Sequence, residues 1–157
     1  MQETQPNAET SASSTARPSL QLQPCLLGAT PAQCGTLKVY ENRTAQSGRM
    51  IDLHVAVIKA KSEHPAPDPI FFLAGGPGEA ATEAAARNQQ FPVSLSQNHD
   101  LVFVDQRGTG GSNRVLVPTD QPDLTGLSPE EMDTKAREWV AKFLEEIDMD
   151  PRFYTTS

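Results

Sequence analysis

Residues 70–78 read IFFLAGGPG. The apolar run Ile70 to Leu73 ends at Ala74, and Gly75, Gly76, Pro77 and Gly78 lead into a segment rich in Ala and Glu. Strand, glycine turn and helix in succession commonly aim backbone N–H groups at a ligand, and two chemistries are in question. A phosphate cradle needs G-x-G-x-x-G or G-x-x-x-x-G-K-[ST]; neither spacing is present, no Lys follows, and Pro77 removes a donor. A developing oxyanion at a tetrahedral carbon needs only one or two free N–H groups beside a helix N-terminus. Pro77 cannot donate, so Gly76, with Gly75 second, is the expected donor, and Pro77 and Gly78 shape the loop. The competing reading is a tight strand-to-helix connection whose glycines serve steric purposes alone.

The other chemistry-bearing pair is Cys25 and Cys34, in CLLGATPAQC. A disulfide would close a small loop in which Gly28 and Pro31 let the chain reverse, and it implies an oxidising compartment. Two buried free thiols are the alternative. The polar, export-like residues before Cys25 favour the disulfide. Two Cys without a nearby second Cys or His pair supply too few ligands for a metal, so no metal and no cofactor are expected.

These residues need elements to hold them. At 157 residues the chain is long enough for one domain with a real core. Its apolar content of 37% is low, and much of the deficit sits at the start. Residues 1–23 are polar and read as a disordered tail, without the basic start and apolar core of a signal peptide. The domain is expected over 24–157. CGTLKVY reads as a strand. In RMIDLHVAVIKA, Ile51, Leu53, Val55 and Val57 alternate with Asp52, His54 and Ala56, so the two strands suggest an antiparallel hairpin. IFFLA is continuous, as in a strand covered on both faces. Glu79 to about Gln90 should be helical, and LVFV, Leu101 to Val104, should be a second apolar strand parallel to the first. SPEEMDTKAREWVAKFLEEID opens with Ser128 as N-cap, Pro129 at the first helical position and Glu131 three after the cap. Its apolar residues from Met132 to Ile147 recur at helical spacing and predict one packed face. Thr155 or Thr156 would suit a further N-cap. The expected class is α/β: an antiparallel hairpin, then a βαβ unit, then a long helix, the opening half of a larger α/β sheet.

The net charge of −7 argues against nucleic acid as a partner. The acid between Asp120 and Asp150, interleaved with Lys135, Arg137 and Lys142, reads as a solvated helical face, with attraction for cationic substrates as the alternative. No apolar run approaches the roughly 20 residues of a membrane span.

FFLAGGPG followed about thirty residues later by LVFVDQRGTGGS resembles the α/β-hydrolase branch of proline iminopeptidases and secreted tripeptidyl aminopeptidases (TAP-like). CGTLKVY and IDLHVAVIKA resemble the first two strands of the secreted branch. Ala74 stands where the iminopeptidases usually have His, which points to that branch. The resemblance implies a serine hydrolase that releases residues or tripeptides from peptide N-termini, secreted or periplasmic, with a peptide substrate. It makes Gly76–Pro77 a candidate cis bond. It also implies that Asp105 and Arg107 of DQRG support the loop, through an Asp–backbone or Arg–carboxylate interaction. The nucleophile elbow G-x-S-x-G is approached only by GGSNR, where Arg114 replaces the last Gly, so Ser112 is expected to be a turn or capping residue. His54, His64 and His99 lie on a hairpin, in a Pro-rich loop and in a turn, none at a catalytic position. The chain is therefore expected to be an N-terminal portion ending before the elbow, inactive alone and prone to self-association through an unpartnered strand edge and helix face. A non-catalytic degenerate hydrolase-fold module, or an esterase of the same fold, are the alternatives.

Overall fold

The β-branched and apolar runs form five strands: β1 (Gln23–Leu27), β2 (Thr30–Tyr40), β3 (Met50–Ile58), β4 (Ile70–Phe72) and β5 (Leu101–Val104). A computed structural model describes residues 19–88 and 95–154. Most of the expected tail, and Thr155 and Thr156, lie outside the described residues; Gln23 already begins β1. The sheet order is β1-β2-β3-β5-β4.

β1 and β2 form a hairpin in place of the loop expected between the cysteines. Leu27 pairs with Thr30, so the turn is Gly28-Ala29. Gly28 has φ 62°, the positive value that a type II′ hairpin turn demands of its first central residue. Within the hairpin Cys25 faces Ala32, and the Cys25–Cys34 disulfide runs diagonally across the two strands. Its chain-entropy contribution is about 2–3 kcal/mol for a loop this short. Reduction is expected to lower the denaturation free energy by about that amount. Chemical denaturation with and without a thiol reductant measures it, and coincident curves would deny the bond a stabilising role.

β2 and β3 pair antiparallel from Gln33↔Val57 to Tyr40↔Met50, as the alternation predicts. On β3 the residues Ile51, Val55 and Val57 are buried, but so are Ala56 and Ile58 on the opposite face. β5 inserts between β3 and β4: it is antiparallel to β3 (Ala56↔Phe103, Ile58↔Leu101) and parallel to β4 (Phe72↔Phe103). These residues share one face with Cys25 and Cys34. Helix α1 (Ala81–Arg87) covers that face with the small side chains Ala81 and Ala85. The Phe72 and Phe103 rings meet there at 5.6 Å.

The expected class is corrected here. Three of the four strand pairings are antiparallel and one is parallel. Strands dominate the first half of the chain, and among the described residues the α-helices are α1 and α2 (Pro129–Glu146). This is a small mixed-sheet α+β domain, not half of an α/β-hydrolase sheet. The strand–helix–strand segment supplies a single short parallel pair, and the β1–β2 and β2–β3 hairpins and the antiparallel β3–β5 pairing supply the rest.

Two burial expectations are corrected as well. β4 is an edge strand three residues long, bonded on one side only, so Phe71 is 61% exposed and Leu73 68% exposed. The continuous apolar run therefore does not mark two-sided cover. Helix α2 has its expected start: Ser128 Oγ accepts from Glu131 N–H, and Glu131 Oε2 accepts from Ser128 N–H at 2.8 Å. No residue of α2 is buried, however. Local interactions hold it: the capping box, the Arg137–Asp133 pair at 2.7 Å, Trp139 stacked on Phe143, and Trp139 Nε1–H donating to the Asp120 carbonyl. No helix among the described residues is long and apolar enough to cross a membrane.

Candidate functional site

Two glycine loops meet at the N-terminus of α1. The first, Gly75 to Gly78, leaves the end of β4; the second, Gln106 to Asn113, leaves the end of β5. Asp105 joins them. It is completely buried, directly after β5, and its backbone N–H continues the ladder by donating to His54 O. Its carboxylate Oδ1 accepts from the Thr82 N–H and hydroxyl, both at 2.9 Å. Oδ2 accepts from the Gly111 N–H at 3.0 Å and lies 2.9 Å from the Thr82 hydroxyl. Thr82 stands in the first turn of α1, where N–H groups lack intrahelical partners, and Ala80 at the cap offers no side-chain acceptor. Asp105 thus caps α1 from a distance of 23 residues, with a negative group at the positive end of the helix.

Ser112 closes the second loop onto the sheet. It is fully buried; its hydroxyl donates to Asp105 O at 2.7 Å and accepts from the His54 N–H at 2.8 Å. Both capacities are committed to the backbone, as the expected turn role requires, and no nucleophilic use is open to it here. Asn113 Oδ1 adds an acceptor for Asp52 N–H at 2.7 Å. Arg107 donates to two backbone carbonyls, Glu41 O at 2.6 Å and Tyr40 O at 3.2 Å. Burial lowers its pKa from the ordinary arginine value. Of the two interactions expected for DQRG, the structure holds the Asp–backbone one and replaces the Arg–carboxylate one.

The first loop is open. Gly75, Gly76 and Gly78 are exposed, and no atom lies within 4 Å of where a Cβ would stand on any of them. Gly76 has φ 58°, and its amide N–H and that of Gly75 have no hydrogen-bond acceptor among the described residues. Every described peptide bond is trans, Gly76–Pro77 included, which corrects the cis expectation. The structure brings Gly75, Gly76, Pro77, Gly78 and Asp105 to one end of α1, and places Cys25 and Cys34 in the hairpin at the far edge of the sheet.

His99 Nδ1 lies 2.8 Å from Asp68 O, His64 is exposed, and His54 is half-buried against Gly111. Among the described residues no group of three His, Cys, Asp or Glu comes together to hold a metal.

A second organised cluster escaped the sequence. Glu41 is buried at the end of β2, and its Oε1 accepts from Tyr154 Oη–H at 3.0 Å and Asp150 N–H at 3.3 Å. Burial, and next the bond donated to Glu41, push the Tyr154 phenol above its ordinary pKa. The cluster straps the chain after α2 onto the Arg107 loop. Its partners lie 109 and 113 positions apart, and no local pattern announces such a pairing. Thr82 and Gly110 also escaped, although a Thr in a first helical turn and a glycine run after a strand are visible signals.

Fold and site together define a small mixed-sheet domain in which a buried carboxylate ties the loop after β5 to the first turn of α1. Comparison with known proteins finds no family model and no curated protein that matches the chain.

Proposed function

We propose that this chain carries the oxyanion-donor loop of a serine hydrolase that removes residues or tripeptides from peptide N-termini. The proposal rests on the motif resemblance to the proline iminopeptidase and tripeptidyl aminopeptidase group and on one observation: the Gly76 and Gly75 amides, on an open loop, have no acceptor among the described residues. Gly76 N–H would donate to the tetrahedral oxyanion, with Gly75 beside it, and Asp105 would position the loop through α1. In this reading the nucleophile, base and orienting acid would come from residues other than these 157. The disulfide supports an oxidising, secreted or periplasmic setting.

The test uses the protein with whatever sequence follows Ser157 in its gene, assayed on aminoacyl and tripeptidyl chromogenic amides. Gly76→Pro, which deletes the amide hydrogen but also forces φ away from 58°, is expected to lower kcat by about 10²–10³, and Gly76→Ala, which keeps the amide hydrogen at that strained φ, by much less. Failure of the folded protein to turn over any amide or ester would remove the enzyme reading. Self-association of the isolated chain belongs to the same proposal. It is supported by the exposed Ile70, Phe71 and Leu73 on the β4 edge, and is read as a sedimentation coefficient rising with concentration.

One observation favours a second reading, a non-catalytic binding module: Ser112, in the nearest approach to an elbow, is buried and saturated. A stop codon directly after Ser157 would favour it; an in-frame G-x-S-x-G would favour the hydrolase.

A further inference from the structure

A cleft of about 350 Å³ lies between the Asn113–Leu116 segment and the strap that follows α2, on the side of the molecule organised by Glu41. Its volume is at the small end of ligand sites. One wall is apolar, made by the half-buried Val115, Ile147 and Met149. Arg49 and Arg114 stand at the other.

The two guanidiniums differ in how they are held. Arg114 Nη2 sits between both oxygens of Glu83, at 2.7 and 2.9 Å, and so is tied to α1. Arg49 is about two-thirds shielded, with Glu41 Oε1 at 3.9 Å from its Nε. Its Nη1 meets one carboxylate, Asp148 Oδ1 at 2.9 Å, from a side chain that is 99% exposed. An ion pair with so exposed a partner contributes little, and its carboxylate competes with solvent at all times. The position beside Nη1 is thus already a carboxylate position, filled by a group that leaves easily.

We propose that this cleft binds a small carboxylate with an apolar tail. The ligand carboxylate replaces Asp148 on Arg49, and the tail lies along Val115, Ile147 and Met149, covering part of Leu116, which is otherwise 76% exposed. Charge decides between a carboxylate and a phosphate. Arg49 and Arg114 already face Glu41, Asp148 and Glu83. Exchanging Asp148 for another monoanion keeps that balance, whereas a dianion adds negative charge beside buried Glu41. A free aliphatic acid and a peptide C-terminus share this chemistry. The assignment is independent of the hydrolase reading and uses none of the Gly75–Gly78 loop.

The experiment is a titration of the whole chain, followed by the side-chain NMR signals of Arg49, Val115 and Met149. The probes are hexanoate, hexanamide, and N-acetyl-Ala-Leu with a free or an amidated C-terminus. Saturable shifts with the acids and none with the amides are expected; the stronger of the two acids identifies the source. Arg49→Gln should weaken acid binding about tenfold or more, as loss of a charge-assisted hydrogen bond does. Asp148→Asn alters a fully exposed side chain, leaves the fold intact, and should tighten binding up to about fivefold by removing the competitor. Equal binding of acid and amide overturns the proposal. So does the absence of saturation, or an Asp148→Asn protein that binds no tighter than the parent.

Discussion

Asp105→Ala is expected to destabilise the protein by on the order of 3–5 kcal/mol, a large share of the roughly 5–15 kcal/mol that holds a domain together. The substitution deletes the acceptor of the Thr82 N–H, the Thr82 hydroxyl and the Gly111 N–H in one step. Thr82 is itself buried, so water cannot replace the lost acceptor without opening the loop. The helix also loses a side-chain cap at its N-terminus, where Ala80 supplies none. Asp105→Asn keeps the volume but turns an amide NH₂ toward either Thr82 or Gly111, and should cost less than Ala, at about 2–3 kcal/mol. Urea denaturation of the three proteins gives the differences. An Asp105→Ala protein within about 0.5 kcal/mol of the parent would mean that the carboxylate does not hold the second loop to α1. A Thr82→Val partner completes a cycle, and its coupling to Asp105→Ala should be clearly non-additive, as for residues in one hydrogen-bonded network.

Gly110→Ala is expected to cost about 2–4 kcal/mol, the sum of overpacking and of a left-handed backbone imposed on a side chain. A Cβ at position 110 would stand 2.3 Å from Asp105 Oδ2 and 2.6 Å from the Ala80 Cβ, with φ at 46°. Neither neighbour can yield: Asp105 is pinned by its donors, and Ala80 is completely buried against the sheet. Gly126→Ala is the matched control. Its φ is 76°, but nothing lies within 4 Å of its Cβ position, so it should show the backbone strain alone, about 1–2 kcal/mol. The excess at position 110 measures the close approach of the GTGGS loop to Asp105. Equal costs at the two positions would argue that the loop stands clear of the carboxylate.

The sequence was legible wherever the signal was local. Alternation placed β3 and its pairing with β2, since a period of two needs only neighbouring residues. The capping box placed the start of α2 at Ser128. The apolar runs at 70 and 101 were placed as a parallel pair joined through α1, and so they are. The Cys25–Cys34 disulfide was anticipated as a loop closure, but the intervening residues form β1, the Gly28-Ala29 turn and the start of β2. The polar and proline-containing letters of that stretch masked its hairpin pairing.

Partner choice was not legible. Whether IFFLA lay at the centre of a sheet or at its edge depended on which strand reached it from the other side, and none among the described residues does. The apolar stripe of α2 announced a packed face, but periodicity states only that a helix has such a face, not that a surface lies opposite it. The fold class failed for the same reason. A strand–helix–strand segment fixes one parallel contact, while the balance of the sheet was set by β5 entering between β3 and β4.

For the candidate site the division is sharper still. Residue types alone marked Gly75, Gly76, Pro77 and Gly78 as a turn able to present amides, and excluded a phosphate cradle by the missing Lys and the proline. The expectation that Asp105 and Arg107 support the loop came from the resemblance. Only the tertiary structure decided what the two side chains bind. Asp105 is buried on the first turn of α1, and Arg107 reaches back some 66 positions to the end of β2. Local chemistry is written in neighbouring letters because it acts through neighbouring atoms. The capping of α1 by Asp105 depends on hydrogen bonds to Thr82, 23 positions away, and those exist only once the sheet has brought β4 and β5 side by side.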